Sequence, residues 1–162
     1  NLAVHGHLAE AVAPHPTRIF GELADISPVP DSSIGLAVMI QVLDHLLDPM
    51  NMLRQIHAKL RPGGTLMVVT HNENSILRKV LGRRWPPFCL QHPQVFNPRS
   101  ITDMMRRAAY STVKVSRSTN YFPVDFLVRQ AGLAAGMTLD RLPLPRTSIA
   151  LKLGNMVTLA KR

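Results

Sequence analysis

The sequence has a single cysteine, Cys89, among its 162 residues. One thiol excludes an internal disulfide and a cysteine-built metal cluster, and it favours a reducing compartment, so a cytoplasmic location is expected. Aromatic residues are scarce at 5%, too few to interleave with basic residues as a nucleic-acid platform does. Acidic residues are also few: 10 Asp and Glu stand against 19 Lys and Arg, which gives a net charge of +9. Such a charge can mark an anionic partner. The basic residues are dispersed, however, with Arg78-Lys79 and Arg83-Arg84, then Arg99 and Arg106-Arg107, as the densest groups, so nucleic acid is not the expected partner. No apolar run is long enough to span a bilayer; the longest, residues 34–43, contains Gly35 and Gln41 and ends at Asp44. Residues 1–16 have no basic start of the kind that opens a signal peptide. The seven histidines show no HxxxH spacing, and no metal is expected.

Hydrophobic residues make up 46% and charged residues 18%, the balance of one folded domain with one core. Residues 2–12 have a helical rhythm stopped by Pro14 and Pro16, and residues 17–20 form a short strand candidate closed by Gly21. A loop over 22–33 carries Pro28, Pro30 and Asp31. Residues 35–42 (GLAVMIQV) are almost continuously apolar, as a strand buried on both faces reads. Asp48-Pro49 opens a helix whose stripe is Met52, Leu53, Ile56 and Leu60, with Arg61-Pro62-Gly63-Gly64 as its expected terminator. Residues 65–70 (TLMVVT) form a second buried strand and complete a βαβ unit with a right-handed crossover. Farther on, residues 75–81 read as a short helix with Ile76, Leu77, Val80 and Leu81 inward. Asn97-Pro98 caps a helix over 99–109 with Ile101, Met104, Met105 and Ala108 as its stripe. Strands follow at 111–116 and 155–160, with a helix at 125–135 and a turn at 142–145 between them.

Three stretches, in order and at their spacing, resemble a known family. They are Pro30-Asp31-Ser32-Ser33 with GLAVMIQV and Leu43-Asp44-His45-Leu46; Leu60-Arg61-Pro62-Gly63-Gly64 with TLMVV; and HPQVFNPRSITDMMRRAAY at 92–110 with TVKV. Together they are similar to the C-terminal two-thirds of class I S-adenosylmethionine-dependent methyltransferases that act on small molecules. The resemblance covers residues 18–162. This sequence has Ile34-Gly35 where the family has a phenylalanine-aspartate pair, Asp44 where it has glutamate, and Ala109-Tyr110 where it has glycine-phenylalanine. The family's glycine-rich turn after its first strand, and the acidic end of its second, have no counterpart upstream of Arg18.

The resemblance implies an α/β, Rossmann-like three-layer sandwich with a mostly parallel sheet, here without the N-terminal strands. It implies one partial domain over 1–162, with residues 72–98 covering the substrate, and family strand order 3-2-1-4-5-7-6. The strand at 35–42 is then an open edge that invites another chain or a second copy. S-adenosylmethionine is the expected cofactor and a small molecule the expected acceptor. Function is expected to need the absent N-terminal part or a partner chain; the rival is a catalytically inactive, regulatory domain of the same fold. By resemblance, Glu22 and Leu23 contact the cofactor, with Asp25 competing because the loop is one residue longer here; a solvated loop is the plainer reading. Gln41, Val42 and Leu43 end a strand at the ligand edge of an open sheet, where an ordinary strand terminus is the alternative. His45, His71 and His92 are the acid–base candidates, each weighed against a structural role. Trp85, Pro86, Pro87 and Phe88 are read either as an apolar lid or as a loop folded on the core.

Overall fold

The computed structural model describes residues 25–134, 136–137, 147–152 and 154–162. The expected helix at 2–12, the strand at 17–20, Glu22, Leu23 and the turn at 142–145 lie outside the described residues.

Strand β1 (Ile34–Ile40), helix α1 (Pro49–Lys59) and strand β2 (Leu60–His71) form the expected βαβ unit, with β1 and β2 parallel. The Asp48 side chain accepts from Asn51 N at 3.0 Å, and Pro49 occupies the first turn. Met52, Leu53 and Ile56 are buried, followed by Leu60, each such burial contributing about 1.5–3 kcal/mol. The end of this helix differs from expectation. Arg61-Pro62-Gly63-Gly64 does not separate helix from strand; β2 begins at once at Leu60. Leu60 pairs with Ile34 and Thr65 with Leu36, so the intervening residues bulge out within the pairing. Gly63 takes φ +74°, and a Cβ on Gly64 would lie 2.8 Å from Arg61 O and 3.0 Å from Ile34 O.

Helix α2 (Ile76–Leu81) is capped by Ser75, whose Oγ accepts from Arg78 N at 3.1 Å. Ile76 and Val80 are exposed, contrary to the four-residue inward stripe; a helix this short turns one ridge inward, and Leu77 and Leu81, four apart, occupy it. Helix α3 (Pro98–Arg107) buries Ile101 and Met105. Strands β3 (Thr112–Arg117) and β4 (Asn120–Pro123), helix α4 (Val124–Ala134), and strands β5 (Ser148–Leu151) and β6 (Asn155–Lys161) complete the order. The antiparallel β4–β5 pair was not anticipated, because four-residue segments carry too little periodicity to read.

The main sheet runs β1-β2-β6-β3. Only β6 is antiparallel to its neighbours, so the sheet is mostly parallel and matches the order implied for strands 4-5-7-6. Leu66 and Val68 of β2, with Met156 and Ala160 of β6, form one core with Leu53 and Ile56 of α1 and with Ile101 and Met105 of α3. Tyr110 seals it, donating its hydroxyl to Leu53 O at 3.1 Å. The opposite face is different. Leu36, Val38 and Ile40 are 60%, 47% and 60% exposed, so among the described residues β1 is buried on one face only, not two. The helices that contribute to the core lie on the other side of it. Among the described residues no helix is long and apolar enough to cross a membrane.

Candidate functional site

The carboxyl tips of β1 and β2 lie side by side. Gln41 N donates to Val69 O at 2.9 Å. Gln41 itself takes φ +53°, a left-handed conformation that costs a non-glycine residue about 1–3 kcal/mol. Its buried Oε1 has no hydrogen-bond partner among the described residues. Val42 is half-buried and Leu43 fully buried, so Leu43 faces the core and offers a ligand its main chain only. A 3-10 turn at Leu43–His45 then carries Asp44 beneath the tip of β2.

Asp44 is 1% exposed. Its Oδ2 lies 3.5 Å from His71 N and 3.8 Å from His71 Nε2, while Oδ1 has no partner among the described residues. His71 ends β2, and its Nδ1 is 3.0 Å from Asn155 Oδ1 at the start of β6. Burial is the main cause that holds the His71 pKa below the usual 6.5; the Asp44 carboxylate and the Asn155 hydrogen bond oppose it, and His92 and His45 add to it. His71 is therefore neutral at neutral pH.

Residues 72–98 fold back over this tip. Asn72 pairs with Phe96, Glu73 N donates to Phe96 O at 2.8 Å, and Gln94 N donates to Asp44 O at 3.4 Å. The fold-back brings in His92, whose Nδ1 is 3.1 Å from Pro87 O and whose ring lies 5.0 Å from His71 and 4.4 Å from His45. His45 Nδ1 is 2.9 Å from Gln91 O. The three histidines, scattered in sequence, meet at one place. Trp85 is 2% exposed, edge-on to Phe88 at 5.1 Å and to His71 at 6.1 Å. It is both folded inward and part of the wall of a cavity of about 440 Å³, which His71, Pro87, His92, Phe122 and Asn155 also line. Asp25 is exposed; its carboxylate accepts from Ser27 N at 2.9 Å, and Ser27's hydrogen bonds hold its pKa below the ordinary value.

Two members of this cluster escaped sequence reasoning as site residues. Asp44 was legible only as a family variation; its signal is an acid placed directly after an apolar strand. Asn155 carries no local signal, because its role arises from the antiparallel pairing of His71 with Asn155.

Residues 4–115 match the model of a methyltransferase domain. A protein of Mycolicibacterium smegmatis described as "probable S-adenosylmethionine-dependent methyltransferase" is 33% identical over 92 residues, which are 56% of this chain and 33% of that protein. Among solved structures, YcgJ of Bacillus subtilis superposes with a TM-score of 0.65 at 14% identity, covering 99% of this chain and 77% of the other. A SAM-dependent methyltransferase of Thermotoga maritima gives a TM-score of 0.54 at 18% identity, covering 83% of this chain and 58% of its own. The chain thus spans a third of the length of the curated relative and under two-thirds of the Thermotoga protein. These structures share its fold, the α/β Rossmann-like sandwich, and S-adenosylmethionine is the cofactor of the family. The matched domain, the β1-β2-β6-β3 sheet and the paired strand tips agree: the chain belongs to the methyltransferase-domain family.

Proposed function

We propose that this chain is the acceptor-side part of an S-adenosylmethionine-dependent methyltransferase acting on a small molecule. The observation that carries this reading is the adjacency of Gln41 and His71 on parallel strand tips, with His71 lining a cavity of about 440 Å³. Ligands of open α/β sheets sit at this edge. Gln41 fits the cofactor. A buried amide oxygen without a partner is an acceptor, and the ribose hydroxyls and adenine amino group are donors. Gln41, the backbone at Val42 and Leu43, and the acidic loop of Glu22, Leu23 and Asp25 would hold it. When bound, the cofactor supplies an electrophilic methyl group.

The chain's own contribution is positioning and exclusion of water. Trp85 and Pro87 wall the cavity, His71 and His92 line it, and His45 packs against His92; a neutral imidazole of this cluster can take the acceptor's proton. The β1 edge, outermost in the described sheet, is completed by an N-terminal extension or by a partner chain. Calorimetric titration of the full-length protein with S-adenosylhomocysteine tests this. Binding that weakens about tenfold in Gln41→Ala, the loss of about one buried charge-free hydrogen bond, is expected. No binding with either the extension or a partner present would leave the catalytically inactive regulator as the reading.

A further inference from the structure

We propose that Asp44, His71 and His92 form a binding site for a divalent transition cation such as Zn²⁺, beside the cavity that His71 and His92 line. One ligand atom from each residue lies within 4.8 Å of the other two. A tetrahedral zinc centre with nitrogen and oxygen ligands needs separations of about 3.3 Å, so small side-chain rotations close the site. The tautomers suit it. His71 Nδ1 is 3.0 Å from the Asn155 side-chain oxygen, and His92 Nδ1 is 3.1 Å from the Pro87 carbonyl, both acceptors; Cys89 Sγ, a weak acceptor, also lies 3.1 Å from His92 Nδ1 and shares its N–H. Each ring therefore donates through Nδ1 and keeps a lone pair on Nε2. Metal-bound histidines are oriented in this way, by an outer acceptor on the other nitrogen.

The carboxylate supplies the second, independent observation. Asp44 is 1% exposed, and its Oδ1 has no partner among the described residues. Its Oδ2 faces His71 Nε2 at 3.8 Å, across which two lone pairs oppose each other unless a proton or a cation lies between. A buried carboxylate so placed is costly on its own. Imidazole-rich sites select Zn²⁺ and its neighbours over Mg²⁺ or Ca²⁺. Three protein ligands leave a coordination position open, and here it would face the cavity, available to an acceptor oxygen. His45, whose ring lies against His92, is then the group left to take a proton. The ligands come from the β1–α1 connection, the end of β2 and the 72–98 segment, so no local spacing announced them.

The site is testable without methyl transfer. Co²⁺ titrated into the full-length protein is followed by visible absorption, and bound Zn²⁺ is counted by equilibrium dialysis. One ion per chain is expected, with affinity reduced at least about tenfold in His92→Ala and in His71→Ala, and about tenfold in Asn155→Ala. His57→Ala should bind as the parent does. Circular dichroism of the metal-free variants verifies that each is folded; His92 is half-exposed, so its variant serves if His71→Ala unfolds. Equal binding by His92→Ala, or a loss in His57→Ala as large as that in His92→Ala, would overturn the proposal. Failure to bind S-adenosylhomocysteine would count against the methyltransferase reading alone.

Discussion

Replacing Asn97 by alanine removes the side-chain half of the N-terminal capping box of α3. Pro98 at the first helical position has no N–H, so beyond the N–H of residue 97 itself two donors remain at this end, Arg99 N and Ser100 N. Both donate to Asn97 Oδ1, at 3.0 and 2.9 Å, while Ile101 N already bonds Asn97 O at 3.0 Å. Ser100 Oγ reciprocates, accepting from Asn97 N at 3.0 Å. Caps are worth about 0.5–2 kcal/mol, and because one atom here serves both donors, Asn97→Ala should fall in the upper half, about 1.5–2 kcal/mol. The Asn97 Nδ2 contact with Glu73 at 3.4 Å is long and adds little. For a domain of this size the loss lowers Tm by about 3–8 °C. Urea unfolding followed by circular dichroism measures it: the midpoint should fall with an unchanged slope, and Asn97→Ser should recover most of the difference. A cost under about 0.5 kcal/mol, or a serine variant no better than alanine, would refute this account of the cap.

Ala109 takes φ +71°, where glycine carries no Cβ penalty. Ala109→Gly should therefore gain about 0.5 kcal/mol, the relief of about 1–2 less the entropy that glycine adds to the unfolded chain, and a lower Tm in a thermal melt would contradict it. The pKa of His57 is held below 6.5, mainly by burial and then by Arg162, and that of His71 is lowered too. The unfolded chain then binds more protons than the folded one just below pH 6.5, so stability is full above that value and declines as pH falls through it toward the lowered pKa values. Chemical unfolding in chelator from pH 7.5 to 5 should show the decline, reduced in His57→Gln; a flat profile would exclude the linkage.

The βαβ unit was legible because its signals are local and strong: an apolar run, an Asp-Pro start, and a stripe at Met52, Leu53, Ile56 and Leu60 that the structure buries. The Asn97 cap was legible for the same reason. Pro62-Gly63-Gly64 was misread as a break because glycine and proline signal a bend without saying whether pairing continues around it; Leu60 pairs with Ile34 before the bulge. The inward stripe assigned to α2 failed because Ile76 and Val80 lie on the exposed side of the helix, and length, not periodicity, limits what six residues bury. At the site, each histidine was visible singly. Their convergence was not, since it depends on the return of residues 72–98 across β2, fixed by contacts such as Glu73 N to Phe96 O that no spacing rule encodes.

The placement of β6 has a consequence for synthesis. This strand is the last of the sheet along the chain, yet it sits between β2 and β3 and pairs with both, Thr65 with Lys161 and Thr112 with Lys161 among the partners. While the polypeptide is emerging from the ribosome, β2 and β3 have nothing to join them, and their ladders close only when the final strand slides into the gap. Until then two unpaired ladders are open to neighbouring nascent chains. Losing a handful of residues there would split the sheet down its middle, so a nonsense codon just before Asn155 would be as damaging as one far upstream.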